Sequence, residues 1–468
     1  MNIYDEVVYP NSPRVQTHPL RIGALAHLLG RDVQSFYNCR ILEVACGDGG
    51  NIINMALTAP RSEVVGIDLA SGAISRGQAT IAALGLGNIR LEAMDLRDAP
   101  GTLGKFDYII AHGLFAWVPR DVGEAFWRLC ATNLSPNGLA FVSYNALPGC
   151  HLRQILRDLL IRNVSPGIGT ARSEQAAGLL GSFINSWTDG DSLQQALAQE
   201  ARLMLARGAE VMFHDELGSV WTPRYLVDVV AEAQAHGLDY LCDATPASGE
   251  LSLMVDGAPA WPVDRLNHQQ TQDFRMQRRF RQSIFHRGGG APTRVHLARL
   301  GDLCVQTDLR PLVEETPGLH CFGRELGDEI STADTDFARL LTAAGDTRPQ
   351  ALPLRGLVSP DGQDAVALVQ LVENQLAVLT TEPSPLSASS PLKPRASALV
   401  RWQLAQGQTE VTSLDHCTIR IASPELAGFL MMLDGATAVD ALKAGVDTSP
   451  QTIAEALRHA CDHGLIEA

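Results

Sequence analysis

The chain has 468 residues, 46% apolar and 19% charged, which at roughly 100–200 residues per domain describes two to four folded units rather than a disordered or collagen-like polymer. Thirty-seven basic against 52 acidic side chains leave a net charge of −15, which disfavours a nucleic-acid partner because gripping phosphates needs a basic excess. Nine cysteines without a Cys-x-x-Cys pair fit neither a disulfide scaffold nor a zinc ribbon and are read as buried thiols. The start, Met1-Asn-Ile-Tyr-Asp-Glu6, has acids where a secretory leader needs bases, and every apolar run is too short to span a bilayer. A cytoplasmic protein with no membrane span is therefore expected.

Residues 1–39 form an N-terminal segment. Residues 40–149 alternate short β-branched runs with helical stretches, the pattern of a parallel α/β sheet. Strands are expected at Arg40–Ala45, Glu63–Ile67, Ile89–Ala93, Phe106–Ala111 and Gly138–Tyr144. One helix is expected over Ser71–Leu84, with Ser71 as N-cap and Gly85 as stop, and another over Asp121–Leu134, closed by the turn Ser135-Pro-Asn-Gly138. Residues 150–222 read as a helical insertion, with helices at Leu152–Asn163 and Leu193–Arg207. In residues 223–290 a helix, Pro223–Ala235, and two strands, Leu238–Ala244 and Arg279–His286, complete the sheet, and Gly288–Pro292 reads as a linker. Residues 293–468 read as a separate α+β unit. There a helix at Ala365–Val372 runs into a winged hairpin at Asn374–Thr380, and Glu382–Pro394 is a Pro/Ser-rich loop. The expected fold is α/β: a Rossmann-like seven-stranded sheet with a helical insertion as lid, plus a smaller winged-helix-like α+β domain.

Such a sheet binds its ligand outside the carboxyl ends of its strands. The strongest signal lies there, in Ile41-Leu-Glu-Val-Ala-Cys-Gly-Asp-Gly-Gly-Asn51, where an apolar strand bearing an acid runs into a tight glycine turn that lets backbone approach a ligand closely. Ile52 stands where the third glycine of a dinucleotide fingerprint belongs, and no Gly-Lys-Ser/Thr follows. A second acid, Asp68, ends the next strand 21 positions after Gly47, placed to take both hydroxyls of a ribose, and Asp95 ends the third. Three strand-end acids beside a glycine turn suit a ligand with an amine, a ribose and an adenine amino group, which is S-adenosylmethionine. A strand-end acid is seldom needed by the core, so Asp68 is expected to be dispensable to the fold.

With these residues the chain resembles the class I S-adenosylmethionine-dependent methyltransferases. The resemblance implies that Glu43, Cys46 and Gly47 line the methionine end, that Asp68 and Leu69 hold the ribose, and that Asp95 and Leu96 contact the adenine. It places Ala111 and His112 beside the methyl donor. Ala45 departs from the glycine usual there, so the turn must accommodate a methyl group. Tyr4-Asp-Glu-Val-Val-Tyr9-Pro, Gln16-Thr-His-Pro19, Ser143-Tyr-Asn-Ala-Leu-Pro-Gly149, Phe213-His-Asp215 and Phe280-Arg-Gln-Ser-Ile284 carry a narrower resemblance over residues 1–290. It is to bacterial methyltransferases with a methyltransferase regulatory domain, a group that includes rickettsial lysine methyltransferases of outer-membrane proteins. Cys150-His151 departs from it where an aromatic residue is usual.

Methyl transfer is an in-line displacement at a sulfonium, which asks for alignment and exclusion of water rather than for a metal. The candidates near the methyl group are Tyr9, His112, Tyr144 and Asn145, with His18 of the N-terminal segment on the cofactor. His214-Asp215-Glu216 cannot all face one ion from a regular element, and Arg275, Arg278, Arg279 and Arg281 read as a solvated face. The expected acceptor is a lysine side chain of a protein, drawn by an acidic surface. A small-molecule acceptor under a closing lid, and a cofactor-binding regulatory protein without turnover, are the alternatives.

Overall fold

Alternation of apolar side chains on each strand builds the sheet. On β1 (Arg40–Val44), Ile41 packs on one face with Val64, Ile110 and Phe141. Leu42 and Val44 pack on the other with Val65, Ile109, Val142 and Trp127. Each such fully buried side chain contributes about 1.5–3 kcal/mol. The computed structural model describes residues 7–467 except 102, 166, 168, 170, 188, 256–263, 293, 315, 325–326, 360–361, 385, 387–390, 422, 440 and 442–449. Tyr4, Asp5, Glu6 and part of the Pro/Ser-rich stretch therefore lie outside the described residues.

After α1 (Pro19–Leu28) and β1 come α2 (Ile53–Thr58), β2 (Glu63–Asp68), α3 (Ser71–Leu84), β3 (Ile89–Ala93), β4 (Phe106–Ala111), α4 (Arg120–Asn133) and β5 (Leu134–Asn145). Three helices follow, α5 (His151–Asn163), α6 (Ala171–Ser186) and α7 (Ser192–Leu205), with a core of their own around Leu156, Leu160, Leu180, Ala201 and Met204. Then come a π-helical turn, Met212–Glu216, α8 (Leu226–Ala235), β6 (Leu238–Asp243), α9 (Arg265–Met276) and β7 (Phe280–Arg287). The strand order is β3-β2-β1-β4-β5-β7-β6. All pairs are parallel except those of β7, which runs antiparallel between β5 and β6. Strand order reverses between β1 and β4, so a crevice opens at their carboxyl ends.

Two local expectations change. Ser71 is the first helical residue rather than the cap: Ala70 holds the cap position, and its N–H is taken by the Asp68 carboxylate at 2.8 Å. Ser135-Pro-Asn-Gly138 lies inside β5, looped out between Leu134, opposite Phe106, and Leu139, opposite Tyr108. The turn residues thus make a bulge rather than end a helix.

Apolar packing does not stop at Gly288–Pro292. Leu300, Val305, Phe322, Leu341, Leu368 and Leu379 belong to one continuous core with Leu25 of α1 and the sheet. The helix Gln363–Glu373 leads to a strand, Val378–Thr380, that pairs with Cys304–Gln306 instead of folding into a hairpin. A further core, from Ala396 to Ile466, packs around Val400, Leu430 and Leu457. It includes the hairpin Glu410–Thr412 and Thr418–Arg420. No helix among the described residues is long and apolar enough to cross a membrane.

The arginine run is a solvated face only in part. Arg275 and Arg279 are exposed, Arg278 pairs with Asp273 at 2.8 Å, and Arg281, on β7 between β5 and the edge strand β6, has its side chain fully buried. It donates to Asp273 at 2.9 and 2.8 Å and to Asp243 at 2.6 Å. Removing one member of a buried ion set leaves the others uncompensated. Arg281→Leu is expected to lower the unfolding free energy by about 3–5 kcal/mol, read from the urea midpoint at unchanged slope. A loss below about 1 kcal/mol would show the two aspartates to be neutralised another way.

Candidate active site

The glycine turn leaves β1 through Ala45, which has φ 57°, and continues through Gly47 and Gly49 at 57° and 80°. Several bonds hold it. The Cys46 N–H donates to Ile67 O at 3.2 Å, the Gly47 N–H to Asp68 Oδ2 at 2.9 Å, and Asn11 Nδ2 donates to Cys46 O and Asp48 Oδ1, both at 2.9 Å. α3 packs so closely beneath that a Cβ at Gly77 would meet Asp48 O at 2.3 Å. Asp68 is thus not a bare strand-end acid. Its two oxygens accept from Gly47 and Ala70, so it holds the turn as well as facing the crevice, and burial raises its pKa. Cys46 is buried, and burial pushes its thiol well up.

Glu43 lies one turn of the pleat below. It is 3% exposed, and Oε1 accepts from Asn51 Nδ2 at 2.7 Å. Oε2 has no hydrogen-bond partner among the described residues. Burial pushes the carboxyl up to about 8, against the lowering effect of Asn51. An unpaired buried acceptor of this kind is costly unless a ligand completes it. The cofactor's ammonium fits that need.

The other expected residues are spread along the carboxyl edge. Asp95, after β3, is bound to the Arg97 guanidinium at 2.6 Å and accepts the Arg97 N–H at 2.9 Å. Those bonds hold it below the usual carboxylate range. Leu96 is buried and Leu69 exposed. Ala111 ends β4, and His112 follows it, its ring centroid 6.4 Å from that of Phe141 and 6.0 Å from that of Phe280. Burial, with a smaller push from Arg14, takes its pKa down to about 3. Tyr144 is fully buried, its hydroxyl 3.2 Å from Ser283 Oγ. Ser283 in turn donates to Asp243 at 2.8 Å, within the Arg281 network. Asn145 ends β5, with its carbonyl taken by the Arg224 N–H at 2.8 Å.

The N-terminal residues divide. Tyr9 lies against the insertion, its ring 5.5 Å from that of His214. Burial, then Asp215, raises its pKa to about 12. His18 caps α1, accepting the Leu20 N–H at Nδ1, and packs between Phe36 and His416. The structure thus bonds Gly47 to Asp68, holds Glu43 separately through Asn51, and sets His112 after the neighbouring strand β4. Tyr144 and His18 are committed to interior contacts. His214 Nε2 meets Val7 O at 2.7 Å, and Asp215 accepts from Arg207 at 2.5 Å. Glu216 pairs with Arg153. The cluster therefore clamps the N-terminal segment to the insertion.

Asn11, Asn51 and Arg14 escape the sequence reading. Asn51, eight residues after Glu43 in the first turn beyond the glycines, is the one with a signal, since a strand acid pointing inward needs a donor on the next element.

A family model for a methyltransferase domain matches residues 41–138, and one for a methyltransferase regulatory domain matches residues 208–287. The uncharacterized protein RP028 of Rickettsia prowazekii is 33% identical over 234 residues, 49% of this chain and 93% of that protein. This chain belongs to the class I S-adenosylmethionine-dependent methyltransferases that carry this regulatory domain. RP789 of the same organism is 33% identical over 288 residues, 60% of this chain, and the match spans about half, 52%, of RP789. Among solved structures, PKMT2 from Rickettsia typhi in complex with AdoHcy superposes with a TM-score of 0.83 at 23% identity. It covers 98% of this chain and 99% of that one. The likeness of fold thus extends through the C-terminal units.

Ala45, at φ 57°, is strained: a left-handed conformation costs an alanine about 1–2 kcal/mol that glycine does not bear. Ala45→Gly is expected to raise the unfolding free energy of the methyltransferase by about 1 kcal/mol, measured by chemical denaturation. A decrease would mean that the methyl packs against a neighbour and recovers more than the backbone loses.

Proposed function

We propose that this methyltransferase binds S-adenosylmethionine over the carboxyl ends of β1, β2 and β3 and transfers its methyl group to a lysine side chain of a protein. The observation that carries the cofactor placement is the unpaired, buried Oε2 of Glu43 beside the glycine turn. In this reading Glu43 takes the ammonium, and Cys46 and Gly47 offer backbone to the methionine end. Asp68 adds the ribose hydroxyls to the two N–H groups it already accepts, with Leu69 exposed beside it, while Asp95 and Leu96 border the adenine. Bound S-adenosylmethionine supplies an electrophilic methyl on a sulfonium.

The protein's own groups do the rest. A lysine has a reference pKa near 10.4, so only about one side chain in 2,500 is neutral at pH 7, and the site must strip or accept a proton to expose the nitrogen lone pair. His112, after Ala111, is neutral throughout the working range because burial takes it to about 3. It can accept a hydrogen bond from the neutral amine and adds no positive charge; the lysine ammonium gives its proton to solvent before entering, and the methylated nitrogen leaves as a cation as the sulfonium becomes a neutral thioether. Tyr9, held protonated by a pKa near 12, and Asn145 supply further polar contacts for alignment. Tyr144 and His18 support these positions from within. The protein-lysine acceptor is supported by the resemblance to rickettsial lysine methyltransferases, by the full-length likeness to PKMT2, and by the net charge of −15. A cytoplasmic site of action goes with this reading.

Incubating the protein with methyl-labelled S-adenosylmethionine and an extract of its host lacking the gene is expected to label protein bands, with the label on lysine by mass spectrometry. Label confined to small solutes would overturn the acceptor. Cofactor binding should also follow pH. The ion pair needs Glu43 ionised, so affinity for S-adenosylhomocysteine is expected to rise about tenfold per unit from pH 6 toward 8, where Glu43 titrates. It levels off above that pH and falls once the ligand's own amine loses its proton. Calorimetry on Glu43→Gln should lose the rising limb. An unchanged profile would place the ammonium elsewhere.

A further inference from the structure

The family reading assigns nothing to the last units of the chain, yet one of their side chains bonds Asn51, the residue that holds Glu43. His416 sits in the loop of the hairpin Glu410–Thr412 and Thr418–Arg420, 1% exposed. Its φ is 61°, a conformation that few residues other than glycine and asparagine adopt readily. The loop is closed by Ser413 N–H to Cys417 O at 2.8 Å and His416 N–H to Ser413 O at 3.0 Å.

The hydrogen-bond directions in this cluster are determined. Asn51 Oδ1 accepts the Arg14 N–H at 2.7 Å, a donor that cannot reverse, so the amide orientation is fixed. Asn51 Nδ2 then donates to Glu43 at 2.7 Å and to Thr17 Oγ1 at 3.1 Å. Nε2 of His416 lies 2.9 Å from the same Oδ1 and must therefore carry a proton. Nδ1, 3.3 Å from Asn54 Nδ2, is the acceptor, and Asn54 Nδ2 is also 3.1 Å from Ser413 O. The result is a directed chain from the hairpin loop through Asn51 to Oε1 of Glu43. With Oε1 held this way, Oε2 is the oxygen left unpaired.

We propose that His416 is a positioning residue of the cofactor site: by holding Asn51 it orients Glu43, so that the C-terminal unit completes the methionine-end pocket from behind. The proposal rests on the assignment of Glu43 to the cofactor ammonium. It makes residues 396–466 a part of the site rather than an appended module, and cofactor affinity then depends on how that unit is seated.

The test separates backbone from side chain. His416→Asn suits the positive φ, which eases the backbone while the buried hydrogen bonds are lost, so the protein is expected to remain folded with a modestly lowered melting temperature. The shorter side chain no longer reaches Asn51, and affinity for S-adenosylhomocysteine by calorimetry is expected to fall about tenfold, the worth of one hydrogen bond in such a network. His416→Gln can place an amide N–H where Nε2 lies and is expected to restore affinity to within about threefold. A folded His416→Asn that binds as tightly as the wild type, while Glu43→Gln binds poorly, overturns this proposal alone. Wild-type protein that binds no S-adenosylhomocysteine, or a Glu43→Gln variant that binds it normally, overturns the cofactor assignment and this proposal with it. Independently of any variant, nitrogen NMR of the wild-type protein is expected to show the Nε2–H tautomer at His416. The Nδ1–H tautomer would overturn the chain of donors.

Discussion

The bond from Asn51 to Glu43 is the contact on which the crevice depends. A carboxylate at the end of a central parallel strand has apolar neighbours on its own face, and leaving it without donors would cost several kcal/mol. One oxygen is satisfied from the first turn after the glycines, and the other has no hydrogen-bond partner among the described residues, the position proposed for the cofactor ammonium. To keep the Asn51 amide aimed at Glu43, its oxygen must be occupied, and both the Arg14 backbone and His416 occupy it. The N-terminal segment and the C-terminal hairpin thus meet at one atom. A polar network buried in this way tolerates only one arrangement, because each unmet donor or acceptor carries the full desolvation penalty.

The same logic reaches outward along the N-terminal segment. Asn11 closes the glycine turn and Val7 is held by His214 of the insertion. The insertion in turn keeps Asp215 and Glu216 ion-paired with Arg207 and Arg153. The stretch from Val7 to Asn11 therefore connects the turn to the helical insertion, and the insertion has a core of its own. Movement of the insertion would be felt at the glycine turn through Tyr9 and Asn11.

Much of this was legible in the residues. Strand alternation gave β3 and β4 to the residue and the other sheet strands to within a few positions, because period-two burial on both faces is a strong local signal. The glycine turn with Glu43 and Asp68 stood out for the same local reason. What was not legible depends on partners far away in sequence. Arg281 looks like part of a solvated run until Asp243 and Asp273 are seen to flank it, and the loop at Ser135–Gly138 reads as a turn because its residues are turn residues, although β5 continues through it. His416 lies 365 positions from Asn51, and nothing in its neighbourhood marks it. The double engagement of Asp68 was missed because the carboxylate accepts backbone N–H groups, which every sequence offers everywhere.

Stability and function pull apart at the turn itself. Ala45 in a left-handed conformation and Glu43 with a carboxyl pushed up by burial both destabilise the protein without ligand. For Glu43 the sign is clear: an acid whose pKa is raised on folding favours the native state below its unfolded value, and that advantage is lost as pH rises toward about 8. The unliganded protein is therefore least comfortable in the range where the carboxylate is ionised and ready for an ammonium. The ligand restores there what the fold has given up, since a cation at Oε2 returns the pKa toward the ordinary range. Strain of this kind is held in place by the rigid surroundings, namely the close contact of α3 at Gly77 with Asp48 and the bonds of Asn11 to the turn.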